Sequence, residues 1–232
     1  MSELVVPAHL KTTIAVAYVS GGMVHEEFMT SLLQLYGWDS QNRRCIAALI
    51  RHKGLYVAGL RNGVCRDFLK TKADYLFFLD TDMVFTPAQV YALLDAANPA
   101  EQPIVSGLYF TYFDDVILPV WHEHYEDGTL GTVRQIGPVA RELAACGMGF
   151  TLIHRRVLEA LDDPKEEWPW FGHDPMQTKE GPHRLGEDIT FCLRAAAHGF
   201  KTWGIPIPVG HLKTRQVNIE TFIKSVAGQS LN

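Results

Sequence analysis

Tyr75-Leu76-Phe77-Phe78-Leu79-Asp80-Thr81-Asp82 is the stretch that decides how this chain folds. An apolar run ends abruptly in two carboxylates one residue apart. In an extended chain, residues i and i+2 point to the same face. Asp80 and Asp82 are therefore expected to converge just past a strand's carboxyl end, where open α/β sheets place their ligands. Two aspartates so close repel unless a cation or protons intervene. A hard divalent ion, Mg²⁺ or Mn²⁺, suits such oxygen donors and commonly travels with a substrate phosphate. A solvated strand end is the plainer alternative, because turns also favour aspartate.

The alternation around this stretch argues for a mostly parallel sheet. Upstream, Thr12 to Val19 reads as a buried strand broken by Ser20-Gly21-Gly22, and a helix follows from about His25 to Tyr36 with Gly37 as its stop. Cys45 to Leu49 reads as the second strand and Leu60 or Arg61 to Lys70 as the second helix. Downstream, Thr86-Pro87 is an N-cap followed by proline at the first helical position, opening a helix to Ala97, and Ile104 to Phe110 is the next strand. Val120 to Gln135 has the pattern of a hairpin around Asp127-Gly128. Gly147 to His154 reads as a strand and Arg155 to Leu161 as a short helix. Glu187 to His198 reads as a helix closed by Gly199, with short strands at Lys201 to Ile205 and Val209 to Leu212, and a polar, mobile tail is expected from Thr214.

Between them, Asp162 to Leu185 is long, polar and aromatic, and is expected to be a lid or binding loop without secondary structure. Its Trp168, Trp170 and Phe171 either stack on the rings of a ligand or pin the loop to the core. Ser106-Gly107 and Cys146-Gly147-Met148-Gly149 suggest close backbone approach, to a ligand or between strands.

Composition narrows the classes of function. The chain has 232 residues, 47% of them hydrophobic, which suffices for one α/β domain. A net charge of −5 gives no electrostatic case for nucleic acid or an anionic membrane. The four cysteines lack CxxC spacing and read as buried thiols, so a cytoplasmic location is expected. Met1 to Lys11 lacks the apolar core of a signal peptide, and no stretch resembles a membrane span. Of the ten histidines, His122 and His124 read as hairpin surface residues.

A second acidic element, Gly186-Glu187-Asp188, opens the last helix, where free amides and the dipole favour carboxylates. The dipole should keep Asp188 ionised and make it a weaker base. The run continues through Arg194, His198-Gly199 and Pro206 to His211. With the strand-end D-x-D, the G-E-D at a helix start, the trailing histidine and Leu60-Arg61-Asn62 before the D-x-D strand, the chain resembles the GT-A glycosyltransferases, especially inverting ones grouped around family 2.

That resemblance implies a single GT-A-like, Rossmann-like α/β domain over 1–232, with a nucleotide-sugar-binding half at 1–110, an acceptor and catalytic half at 111–213 and a tail at 214–232. It implies transfer of a sugar, of hexosyl type, from a nucleotide-diphosphate donor to a hydroxyl of a glycan, protein or small molecule, with inversion. Asp80, Asp82 and His211 would hold Mn²⁺ or Mg²⁺. Asp188 would be the general base, with Glu187 as an alternative base or acceptor ligand. Val19, Ser20, Gly21, Arg61, Thr81, Ser106 and Gly107 would border the donor. Gly147, Met148, Trp168, Trp170 and Phe171 would serve the acceptor side and lid. One departure stands out: strand one ends Ser20-Gly21-Gly22 without the acidic residue many such enzymes place shortly afterward for the base. Two competing readings are a haloacid-dehalogenase-like phosphotransferase built on Asp80 and Asp82, and a non-catalytic nucleotide- or glycan-binding module. The first lacks the G-D-x-x-x-D acidic pair that class needs.

Overall fold

A computed structural model describes residues 12–113, 116–178 and 181–213; the amino-terminal segment and the tail from Thr214 lie outside the described residues. The first half runs β1 (Ile14–Ser20), α1 (Glu26–Gln41), β2 (Ile46–Lys53), α2 (Val57–Lys70), β3 (Tyr75–Asp80), β4 (Met83–Val84), α3 (Pro87–Ala96) and β5 (Ile104–Leu108). There follow β6 (Phe110–Phe113), β7 (Val116–Pro119), β8 (Trp121–His124), β9 (Leu130–Thr132), β10 (Arg141–Leu143), β11 (Ala145–Cys146) and β12 (Phe150–His154). The chain continues with α4 (Arg155–Leu161), β13 (Pro175–Thr178), β14 (Gly181–Arg184), α5 (Glu187–Ala197), β15 (Thr202–Pro208) and β16 (Gly210–His211).

The main sheet has the order β10-β15-β5-β12-β3-β1-β2. β1 pairs in parallel with β2 and β3, and β15 in parallel with β5. β12 runs antiparallel to both β3 and β5, and β10 antiparallel to β15. The parallel sheet expected from the alternation is thus split by one reversed strand, Phe150–His154. Nothing in that strand's own apolar run reports its direction.

Alternating residues of the central strands feed two cores. Ala15, Ala17, Leu76 and Phe78 face α2, α4 and α5, packing with Val64, Phe68, Leu158 and Phe191. Ile14, Val16, Phe77 and Leu79 face α1 and α3, packing with Phe28, Leu32, Val90 and Leu94. From β1 the chain crosses α1 to β2 on one side; from β3 it crosses α3 toward β5 on the other. The connections diverge between β1 and β3, where the crevice of an open α/β sheet forms.

Several local signals act as read. Thr86 and Gln89 form a reciprocal capping box with Pro87 in the first turn of α3. Gly199, at φ +82°, closes α5, with Gly199 N–H donating to Ala196 O and Phe200 N–H to Ala195 O. Gly37 does not stop α1, which continues to Gln41. The buried Asp39 rewards that extra turn by accepting from Cys45 N–H (3.0 Å), Ile46 N–H (3.1 Å) and Tyr91 O–H (2.6 Å). The segment expected to be an open loop contains the β13–β14 hairpin.

Candidate functional site

The crevice at the carboxyl ends of β1 and β3 is a cleft of about 900 Å³. Register places Val19 beside Asp80, and Val19, Gly21, Arg61, Asp80, Thr81 and Asp82 all line it. Glu187 and Asp188, at the start of α5, line it too. Residues distant in sequence meet here because three helices and two strands end at one edge of the sheet.

The two aspartates have different partners. Asp80 accepts from Arg61 Nη2 at 3.0 Å, and Arg61 Nη1 donates to Glu187 Oε1 at 2.6 Å. Arg61 is buried and ties the strand-end aspartate to the α5 carboxylate. Burial acts to lower the guanidinium's pKa, but Asp80, Glu187 and Asp188 outweigh it and raise the value. Asp82 Oδ2 lies 3.2 Å from His211 Nε2 and accepts from Lys213 Nζ at 2.8 Å. Burial acts to raise the Asp82 pKa, yet those hydrogen bonds and charges hold it well below the usual carboxylate range.

His211 reaches Asp82 through a short antiparallel pairing of β16 with β4, extended by Leu212 N–H donating to Asp82 O at 2.8 Å. Its Nδ1 lies 2.7 Å from Phe110 O. A carbonyl only accepts, so Nδ1 donates to it, and Nε2 faces the Asp82 carboxylate either as a second N–H donor or as a lone pair that shares a cation with it. At 3.2 Å a proton on Nε2 or a metal ion beside the pair satisfies both groups. This donor set therefore fits a hard or borderline divalent ion, with the Phe110 carbonyl orienting the imidazole as an outer partner. Among the described residues no three His, Cys, Asp or Glu side chains are grouped closely enough to enclose one. That suits an ion held by one or two carboxylates and completed by substrate phosphate rather than an all-protein cage.

At Asp188 the surroundings work against the dipole of the helix it opens. Burial raises its pKa; the Arg61 charge lowers it in part, and Glu187 adds a further upward push. Burial outweighs the helix dipole, so Asp188 is a stronger base than its place at a helix start implies.

Other expected site residues lie elsewhere. Ser106 is buried, with its hydroxyl donating to Gly107 O, and a Cβ on Gly107 would come within 2.6 Å of the Phe150 ring. Met148 is buried in the core, and a Cβ on Gly147 would meet Tyr109 Oη at 2.5 Å. Small residues at these positions serve strand packing. Of the two readings of the loop aromatics, pinning to the core holds for Trp170 and Phe171, which are 1% and 0% exposed, so the acceptor-side lid role is corrected for these two. Trp170 Nε1–H donates to Leu158 O at 2.8 Å, and Phe171 stacks on Phe191 at 4.8 Å. Asn62 pins both: its Nδ2 donates to Phe171 O and its Oδ1 accepts from the Trp170 and Phe171 amides. Trp168 is only partly buried.

The sequence reading missed Lys213 and Glu26, whereas it singled out Gly149 for close approach. Lys213 follows His211 by two residues, and that spacing was the available signal. A Cβ on Gly149 would stand 2.9 Å from Asp80 Oδ2, so this glycine makes room for the carboxylate. Glu26, in the first turn of α1, lines the cleft and supplies an acid on the β1 side, where none follows the strand directly.

The chain aligns with the crystal structure of A197 from STIV over 88% of its length and 87% of that chain, at TM-score 0.56 and 22% identity. It aligns with GalNAc-T7, solved with UDP, GalNAc and Mn²⁺, at TM-score 0.53 and 14% identity, covering 88% of this chain and 44% of that one. The fold is GT-A-like. At these identities the likeness concerns the fold alone. No protein-family model matches the sequence, and no curated sequence is similar enough to count as a relative. Among the described residues, no helix is long and apolar enough to cross a membrane.

Proposed function

We propose that this protein is a metal-dependent glycosyltransferase that uses a nucleotide-diphosphate sugar and inverts the anomeric centre. The observation that carries the reading is the pairing of His211 across the β4–β16 bridge with Asp82, which lines the same cleft as Glu187 and Asp188. Asp82 and His211, with Asp80 beside them, would hold Mn²⁺ or Mg²⁺. When bound, the ion neutralises charge that grows on the leaving diphosphate.

The chain's own groups supply the rest. Lys213 adds a second positive charge at the diphosphate end of the cleft. Val19, Gly21 and Thr81 border the nucleotide. Asp188 takes the proton of the acceptor hydroxyl, helped by the burial that raises its affinity for a proton. Glu187, oriented by Arg61, is left to accept a hydrogen bond from another acceptor hydroxyl.

Titration calorimetry of UDP and GDP with and without Mn²⁺ tests this reading. Binding of one of them is expected to require Mn²⁺. Asp82→Asn and His211→Ala should each weaken it by at least the roughly 10–100-fold typical of disturbing a metal's outer partners. Metal-independent affinity, or full affinity in both variants, would overturn the assignment. NMR of the transfer product should show an inverted anomeric configuration.

A further inference from the structure

The cleft wall next to Glu187 and Asp188 ends in three consecutive exposed apolar residues. Leu55, Tyr56 and Val57 are 95%, 45% and 41% exposed. Tyr56 occupies the N-cap of α2, a position that favours Ser, Thr, Asp or Asn, and its side chain caps nothing. Its ring lies instead over Gly59, where a Cβ would approach a ring carbon to 3.2 Å. On its other sides it meets Trp168 at 5.0 Å with a 36° tilt and the His173 ring at 6.0 Å.

This group is held from behind. Arg194 donates to Trp168 O (2.6 Å) and Pro169 O (3.0 Å) and forms a two-pronged ion pair with Asp174 at 2.9 and 2.5 Å. His173 Nδ1–H donates to Leu185 O at 2.9 Å. The core role in this segment belongs to Trp170 and Phe171, so Tyr56 and Trp168 are rings kept at the surface in a fixed arrangement.

Their place in the cleft is specific. Val57, next to Tyr56, lines the cleft together with Glu187 and Asp188. Leu185, which anchors His173, precedes Glu187 by two residues. Asp82, which also lines the cleft, is held by His211 and Lys213, away from this aromatic group in the chain. An acceptor must approach from the side of its base, and that side is the aromatic one.

We propose that Tyr56, Trp168 and His173 form the acceptor subsite and that it takes a neutral pyranose ring of a glycan. The proposal rests on the glycosyltransferase reading of the cleft. A pyranose offers an apolar C–H face that suits the electron-rich face of an aromatic ring. Its hydroxyls are donors for the carboxylates at the platform's edge, Glu187 and Asp174. An anionic acceptor would face those carboxylates, while the nearby Arg194 guanidinium is already engaged by Asp174 and two carbonyls.

A glycan array covering neutral and N-acetylated pyranoses, followed by saturation-transfer NMR on the best-bound glycan, tests the subsite. Tyr56→Ala and Trp168→Ala should each weaken glycan binding about tenfold, the fold-change expected for loss of a stacking partner. Tyr56→Phe should retain binding, and all three should keep Mn²⁺-dependent binding of the nucleoside diphosphate. No glycan bound on the array, or glycan affinity unchanged in the Ala variants, overturns the subsite while the glycosyltransferase reading stands on intact nucleotide binding. Selective binding to peptides or to vesicles of anionic phospholipid, with no glycan bound, also overturns it. Failure of the wild-type protein to bind any nucleoside diphosphate with Mn²⁺ removes the underlying reading instead.

Discussion

Arg61→Met removes the charge that bridges Asp80 and Glu187 while keeping a long apolar stem. The wild-type guanidinium side chain is 6% exposed; the carboxylates it binds are 34% and 21% exposed. Breaking a fully buried pair costs about 3–5 kcal/mol, because a charge is stranded out of water. Here the stranded charges are two carboxylates that solvent partly reaches, which places the loss near 2 kcal/mol. Among the described residues Arg61 Nε has no partner of its own, so part of the arginine's desolvation is uncompensated, which also limits the loss. For a chain of this size 2 kcal/mol corresponds to a fall in melting temperature of about 4–8 °C. Differential scanning calorimetry at neutral pH measures it. The double variant Arg61→Met/Glu187→Gln should recover part of the loss, because one stranded carboxylate is neutralised. A single variant that melts with the wild type, or a double variant less stable than the single one, would refute the view that Arg61 braces the two site carboxylates.

Three further outcomes are expected. Asp188→Asn should lower turnover at least about 10²-fold yet raise thermal stability near neutral pH. Folding raises the Asp188 pKa, so its ionisation opposes folding; the penalty is absent below about pH 4 and develops as pH rises through the folded value, and the two proteins should converge in acid melts. Trp170→Ala should cost about 3–5 kcal/mol of stability in urea unfolding, as for a core aromatic, rather than acting selectively on acceptor use. Gly107→Ala should destabilise by about 1–3 kcal/mol through collision with Phe150, which packs on Phe77 and Phe85, while calorimetry shows unchanged nucleotide affinity.

What the sequence determined by itself was whatever rests on neighbours in the chain. The apolar run Tyr75–Leu79 had to be a buried strand, and its abrupt end at Asp80 put carboxylates at the sheet's edge. Thr86-Pro87 and Gly199 marked helix ends because capping and left-handed backbone are local requirements. Gly186-Glu187-Asp188 could be placed at a helix start for the same reason. Only the tertiary structure decided which distant groups meet. The two-residue strand Met83–Val84 is too short to show in any periodicity, yet it brings His211 to Asp82. The sequence left Trp170 and Phe171 open between stacking on a ligand and pinning the loop; Asn62, Leu158 and Phe191, far away in the chain, bury them. The base strength of Asp188 followed the same rule: its helix predicts an acid kept ionised, whereas burial beside Glu187 raises its pKa, and burial is a property of the whole fold.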